Sequence, residues 1–374
     1  MDGSIRVGRV LGIPILIHYT WVIVFGLVAW SLANGYFPMA DRGLSLAARL
    51  LLGGAAALLF FAALLLHELA HAWVGQREGL KIRSITLFIF GGVARIGGEP
   101  RSAGAEFRMA IAGPAASVAV ALLFWGAIVV GRGIVSGPLL LLWQYLALAN
   151  VVVAVFNLIP AFPLDGGRVL RAGLWYFMGS RLRATRIAST MGQWFAYLLM
   201  GFGIVRTLGG NVAGGLWTLF IGWFLLQAAQ DGYRHTLIRR ALRGIEAREV
   251  MDEGVPAVDA DLPLASFVQD HLLRGAETNF RVMDNGRLRG IITLDEVKRV
   301  PRQRWDDVRV QDAMKQEAGC PTVDASRSAY EALMLLWSEN APQIIVRSRG
   351  RFAGVITRDD LLARLRTRLE LEEA

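Results

Sequence analysis

The chain has 374 residues, 54% of them hydrophobic and only 19% charged, with a mean hydropathy of +0.42; these values exclude a soluble single-core protein and point to a membrane protein. Its net charge of +9 is spread over loops and the C-terminal part without a basic, aromatic-laced stripe, which argues against nucleic acid as a partner and assigns the charges to topology and lipid headgroups. A lone cysteine, Cys320, excludes an intrachain disulfide framework and a cysteine-rich zinc site.

The N-terminal residues lack the cleavage pattern of a signal peptide, so the first apolar helix is expected to be retained. Residues 4–16 carry Gly8, Gly12 and Pro14 and read as a short strand or surface segment. A first span is expected over Ile15 to Leu32, followed by a polar connector over 33–47 and a second span over about Leu50 to Val74. Residues 80–98 read as two strands around a Gly91-Gly92 turn, a small membrane-associated hairpin. Further spans are expected over Met109–Val130, over the uncharged stretch between Arg132 and Asp165, over about Ile187–Val205 and over about Gly214–Ala229. Pro160 and Pro163 break the fourth before Asp165, so that aspartate sits on irregular or restarted backbone, which at membrane depth must be buried in protein or face a watery cavity.

Six spans place both termini on one side. Residues 75–106 and 161–188 each hold five Lys or Arg, whereas the opposite connectors hold Arg42 and Arg49, then Arg132, then Arg206. The positive-inside bias puts the termini, the end of span two and Asp165 on the cytoplasmic side of the cell membrane.

From Asp231 onward charge returns and the chain repeats itself. Residues 250–299 and 313–365 each run from a Met through a Val-Asp strand, a helix and a strand to Gly290-Ile291-Ile292-Thr293 or Gly354-Val355-Ile356-Thr357, followed by another helix. Such self-similarity marks two copies of one small α/β unit. The divisions expected are a membrane domain over 1–230, a linker over 231–248, a first repeat over 249–300 and a second over 301–374.

The chemistry centres on His67-Glu68-Leu69-Ala70-His71, in a second span with no other charged residue between Arg49 and Arg77. Histidines at i and i+4 share a helix face and can bind one zinc, and Glu68 can serve as general base toward a water on that metal. A polar packing network is the alternative, but ionisable groups inside a membrane helix are costly and packing needs none of them. A catalytic zinc takes a third protein ligand. Asp165 lies at the same membrane face, and from the residues alone it serves equally as ligand or as cap of a helix starting at Gly166. Asn157 can donate to a substrate carbonyl or developing oxyanion, or make a plain interhelical hydrogen bond. The remaining histidines, His18, His235 and His271, have no partner at ligand spacing and read as packing or surface groups.

His67-Glu68-x-x-His71, Gly113-Pro114 and Asn157-x-x-Pro160-x-x-Pro163-Leu164-Asp165-Gly166-Gly167, in this order over residues 1–230, resemble the site-2 protease family of intramembrane zinc metalloproteases. The resemblance implies that His67, His71 and Asp165 bind one Zn2+ and that Glu68 activates water. The tail resembles a pair of cystathionine-β-synthase-type (CBS) domains, in the manner of the prokaryotic branch that carries such a pair. That resemblance implies ATP or AMP binding where a Thr hydroxyl is followed three residues later by an aspartate, as at Thr357 and Asp360; Thr293 and Glu296 depart from the pattern. A purely structural, homodimerising role for the tail is the alternative.

The expected fold is therefore a polytopic α-helical membrane protein with six transmembrane helices and a small β-hairpin or sheet, joined to a soluble α/β CBS pair. Its expected activity is hydrolysis of peptide bonds within or near the transmembrane segment of a single-span protein. Two rivals remain. A membrane-anchored zinc peptidase acting on soluble or misfolded chains would take a glutamate as third ligand, and none occurs between Glu106 and Glu246. A non-proteolytic, CBS-gated membrane protein is the other, and the intact motif does not favour it.

Overall fold

The computed structural model describes residues 3–89, 91–275 and 277–373. They form two compact units, 1–234 and 235–374.

The first unit opens on two antiparallel strands, β1 (Ser4–Val10) and β2 (Ile13–His18), paired from Val10 with Ile13 to Ser4 with His18. This corrects the expected start of the first span. Ile13, Ile15 and Ile17 alternate and are β-branched, which suits a pleated, half-buried strand, so the helix α1 (Tyr19–Ser31) begins only after His18. His18 caps it, with Nδ1 2.8 Å from the Thr20 hydroxyl. A π turn over Leu32–Tyr36 and the short α2 (Phe37–Ala40) prolong the helix into the expected connector.

Helix α3 (Leu46–Arg77) is 32 residues long. Ser45 accepts from Ala48 N–H at its N-terminus, and Arg77 in the last turn complements the helix dipole. Strands β3 (Ile82–Phe88) and β4 (Gly91–Ile96) follow. They join the first two in a sheet of order β1-β2-β3-β4, with β2 and β3 parallel and β3 and β4 antiparallel. Gly91 pairs with Phe88 and Gly92 with Leu87, so both glycines lie on β4 rather than in the turn, and residue 90 is outside the described residues. Ile13, Ile15 and Ile85 from the sheet pack on Leu69 and Ala72 of α3. The sheet thus backs the helix turn that bears the histidines.

Helix α4 (Ala103–Gly131) starts at Ser102, whose hydroxyl accepts from Ala105 N–H, and contains Pro114. It packs on α3, on α5 (Gly137–Asn157) and on α6 (Asp165–Met178). Long helices α7 (Arg181–Leu208) and α8 (Val212–Ala241) complete the unit, whose boundary falls inside α8. Among the described residues five helices are long and apolar enough to cross a membrane: 19–40, α3, α4, α5 and α8. The stretch expected as the fifth span lies in α7, which has 28 residues but is diluted by Ser189, Thr190 and Gln193 and is not one of these five.

In the second unit, residues read from sequence as linker are ordered into the packing. After α8 comes the short α9 (Ala247–Val250), and Ala241, Leu242, Ala247 and Val250 are buried against the second repeat's Leu333, Leu336 and Ile356. The first repeat consists of β5 (Ala257–Asp259), α10 (Leu264–Phe267), β6 (Asn279–Asp284), β7 (Arg287–Thr293) and α11 (Leu294–Lys298). A short α12 (Val310–Ala313) leads to β8 (Lys315–Gln316), which closes the first sheet as β5-β6-β7-β8. The second repeat runs β9 (Thr322–Asp324), α13 (Ala329–Ser338), β10 (Gln343–Ser348), β11 (Arg351–Thr357) and α14 (Arg358–Glu373), with sheet order β11-β10-β9. Each repeat has one parallel and one antiparallel pairing in matching places. This is the duplicated α/β architecture expected of the CBS pair. Ile291 and Val355 of the equivalent strands β7 and β11 meet in the seam between the repeats, with Cys320 beside them. Burial pushes the Cys320 thiol pKa up, which suits a structural, unreactive cysteine.

Candidate active site

His67 and His71 stand one turn apart on α3 with their rings edge to face, centroids 4.8 Å apart. Asp165 arrives from the chain break after α5. Leu158 to Leu164 is irregular, as the two prolines dictate, and α6 starts at Asp165 with Leu164 in the cap position. The Asp165 side chain therefore makes no cap and turns to the histidines. Its Oδ2 lies 3.1 Å from His67 Nε2 and 3.0 Å from His71 Nε2, and the two Nε2 atoms are 3.2 Å apart. The three residues are 3%, 6% and 8% exposed in the order His67, His71, Asp165.

Glycine pairs explain how this backbone comes so close. A Cβ at Gly166 would strike the Leu158 and Ile159 carbonyls, and one at Gly167 would strike the Ala161–Phe162 backbone. Only residues without a side chain let the first turn of α6 fold back on the segment that feeds it.

Helix α4 supplies what orients the rings. The Met109 carbonyl accepts from His71 Nδ1 at 2.6 Å, and Ser117 Oγ lies 2.9 Å from His67 Nδ1. A carbonyl can only accept, so His71 carries its proton on Nδ1 and offers the Nε2 lone pair inward. Between them, Gly113 faces both imidazoles so closely that a Cβ there would overlap their Nε2 atoms. Sequence reasoning linked Gly113-Pro114 to the site only through family resemblance, reads the small residues from Ala112 to Ser117 as helix packing, and gives Met109 and Ser117 no role at the site. Their positions, four residues before and four residues after Gly113, are the signal that a helix-face reading would have used.

The donor set suits zinc. Two neutral imidazole nitrogens and one carboxylate oxygen converge at separations close to the roughly 3.3 Å edge of a tetrahedral site with bonds of about 2.0–2.1 Å. Both rings have an outer partner fixing their orientation, as metal-ligating histidines do. Among the described residues these three form the one cluster able to hold a metal in this way. Arg168 Nη1 stands 3.9 Å from the other carboxylate oxygen of Asp165.

Glu68 is half-buried next to the trio, and its side chain lies against Gly92 of β4, where a Cβ would overlap it. Asn157 ends α5 and donates Nδ2–H to the Val153 carbonyl of its own helix at 3.0 Å, so the structure does not bring it into the trio. In the second unit, Thr293 and Glu296 form a capping box at the start of α11, with the Glu296 carboxylate buried and bonded to the Thr293 hydroxyl and N–H. The Thr357 hydroxyl pairs with the exposed Asp360, whose N–H it accepts at 3.1 Å.

Comparison with known proteins gives the family. The profile of peptidase family M50 matches residues 55–137 and 131–200, a range that holds His67, Glu68, His71 and Asp165. A Synechocystis protein named as a zinc metalloprotease is 33% identical over 377 residues, covering 98% of this chain and 97% of that one. The solved site-2 protease from Methanocaldococcus jannaschii is 30% identical, with a TM-score of 0.42 over 62% of this chain and 95% of that one. A CBS domain from a bacterial CNNM/CorC-family Mg2+ transporter aligns with 36% of this chain and 82% of its own at 15% identity and a TM-score of 0.31. The chain belongs to peptidase family M50, the site-2 proteases, and is a zinc metalloprotease.

Proposed function

We propose that the enzyme is an intramembrane endopeptidase that cuts peptide bonds within or near the transmembrane segment of single-span membrane proteins, with its active site and termini toward the cytoplasm. One observation carries the reading: the two histidines of the buried His67–His71–Asp165 trio sit on a 32-residue apolar helix, roughly 9 to 15 Å before that helix turns polar at Arg77. A substrate bond must therefore come to the site inside the membrane layer. The excess of Lys and Arg in residues 75–106 and 161–188 supports the cytoplasmic side.

In this reading His67, His71 and Asp165 hold the metal. Zinc at that position supplies Lewis acidity, polarising the scissile carbonyl and making water a better nucleophile at neutral pH. Glu68 takes the proton from the attacking water and returns it to the departing amine. Met109 and Ser117 keep the imidazoles facing the centre, and Asn157, with a second N–H on Nδ2, donates to the substrate carbonyl.

A helical substrate hides its carbonyls in its own hydrogen bonds and must unwind first. The free edge of β4, next to Glu68, is suited to take the unwound segment as an added strand. The tail binds ATP or AMP through Thr357 and Asp360 and pairs two copies of the chain.

Glu68→Gln tests the reading. The variant is expected to retain zinc and lose about 10²- to 10⁴-fold in cleavage of a single-span substrate in detergent or vesicles, the usual worth of a general base. Cleavage at the wild-type rate would remove Glu68 from the mechanism.

A further inference from the structure

Outside the trio, the first unit buries a second cluster of charge. Glu106, in the first turn of α4, is 0% exposed, and Arg171 of α6 is 7% exposed. Arg171 donates both Nε–H, at 2.7 Å, and Nη2–H to Glu106 Oε1. The other oxygen, Oε2, faces Arg181 Nε at 4.0 Å, and Arg181 also pairs with Glu99, in the segment after β4. The Arg171 guanidinium lies over the Phe162 ring, 4.9 Å from its centroid.

We infer that Glu106 and Arg171 are positioning residues for the metal centre: their buried ion pair fixes α6 against α4 and thereby sets where the Asp165 carboxylate meets the two imidazoles. The inference rests on the metal reading above.

Three observations support it. Glu106, Gly113 and Ser117 lie on one stripe of α4, since seven and eleven residues return the helix to nearly the same face. The same rigid helix therefore orients the histidines through Met109, Gly113 and Ser117 and grips the aspartate-bearing helix through Glu106. The pair also ties the helix that carries Asp165 to its surroundings: α6 through Arg171 meets α4 through Glu106, the proline-broken segment that feeds α6 through Phe162, and α7 through Arg181. Finally, a buried ion pair is a poor stabiliser, because desolvation offsets its attraction and apolar residues of similar volume serve a fold as well or better. What such a pair supplies is direction, a forked donor on one carboxylate oxygen that fixes the rotation and axial setting of α6.

The experiment measures zinc affinity by chelator competition, together with the thermal midpoint, for the full-length protein in detergent. The variants are Glu106→Met/Arg171→Met, Arg171→Lys and Asp165→Ala, beside wild type. The double apolar variant is expected to fold and to bind zinc about 10- to 100-fold more weakly, the usual cost of removing an outer partner of a ligand. Arg171→Lys, which keeps the charge but not the fork, is expected to fall between it and wild type. Wild-type affinity in either folded variant overturns the assignment. So does a double variant that loses its fold, because the pair would then be needed for folding and not for placing Asp165. If wild type holds no zinc, or Asp165→Ala binds it as tightly, the metal reading itself fails; a zinc affinity that depends on Asp165 but ignores Glu106 and Arg171 sinks this inference alone.

Discussion

Gly113 has no side chain, and the site uses the space where one would be. A methyl group there would overlap the Nε2 atoms of both histidines. Overpacking of this kind costs about 1–3 kcal/mol, relieved here only by swinging a ring off its partner. Gly113→Ala is therefore expected to lower zinc content in the purified protein while leaving the helices intact by circular dichroism; full zinc occupancy would show that the rings have more freedom than their hydrogen bonds to Met109 and Ser117 imply. The contrast with His67 and His71 shows what could be read early. Two histidines and a glutamate at i, i+1 and i+4 in an uncharged helix announce their chemistry because ligand spacing is local. Ser117, the Met109 carbonyl and the Glu106–Arg171 pair act across tertiary contacts, and a serine in an alanine-rich stretch looks like packing until its partner is in place. Asp165 was open to two readings for the same reason: the backbone alone decides that Leu164, and not Asp165, takes the cap position.

At the scale of elements, the sheet was legible in kind but not in extent. The pattern over 80–98 predicts a two-stranded hairpin, whereas four strands form, because Ile15 and Ile17 were counted toward a span by hydropathy when their alternation with Ile13 marks a strand. The extra strands change which edge is open. With β2 paired to one side of β3, Ile85 and Leu87 are interior, and β4 alone is a free edge beside Glu68. A proline at Val93 or at Ala94 removes one N–H, from the outer edge in one case and from the ladder to β3 in the other. The edge variant is expected to cleave substrate about tenfold or more slowly with zinc retained, on the loss of at least one substrate hydrogen bond of about 1.5 kcal/mol. If both variants keep their zinc and cut at the wild-type rate, strand addition is not how substrate is held. Helices were located within a few residues where apolar length is the signal. Their ends moved because α4 and α8 continue into polar residues at their surfaces.

For the molecule as a whole, the tail raises the matter of control. Its two repeats match in strand order but differ at the threonine and the acidic residue three positions later. In the first, Glu296 is long enough to reach back to the Thr293 N–H, and its carboxylate is buried there as part of a capping box. In the second, the shorter Asp360 stays exposed beside the Thr357 hydroxyl. Titration of the full-length protein with AMP or ATP is accordingly expected to give one site per chain, removed by Asp360→Ala and unaffected by Glu296→Ala. Two equivalent sites, or one that ignores Asp360, would contradict this. The repeat itself was plain from sequence, but the fate of residues 235–248 was not. Short apolar positions scattered among arginines look like a linker until the second repeat is there to cover them.

The donor set also carries an order in time. Chain synthesis delivers α3 with both histidines and Glu68, then α4 with the groups that orient them, while Asp165, the third ligand in the proposed reading, is still ninety-four residues behind His71. A nascent chain at that stage has a base and two nitrogens but no carboxylate to complete the centre. Docking of α6 closes that gap, and the residue that makes the protease whole reaches its place only when the helix carrying it is seated.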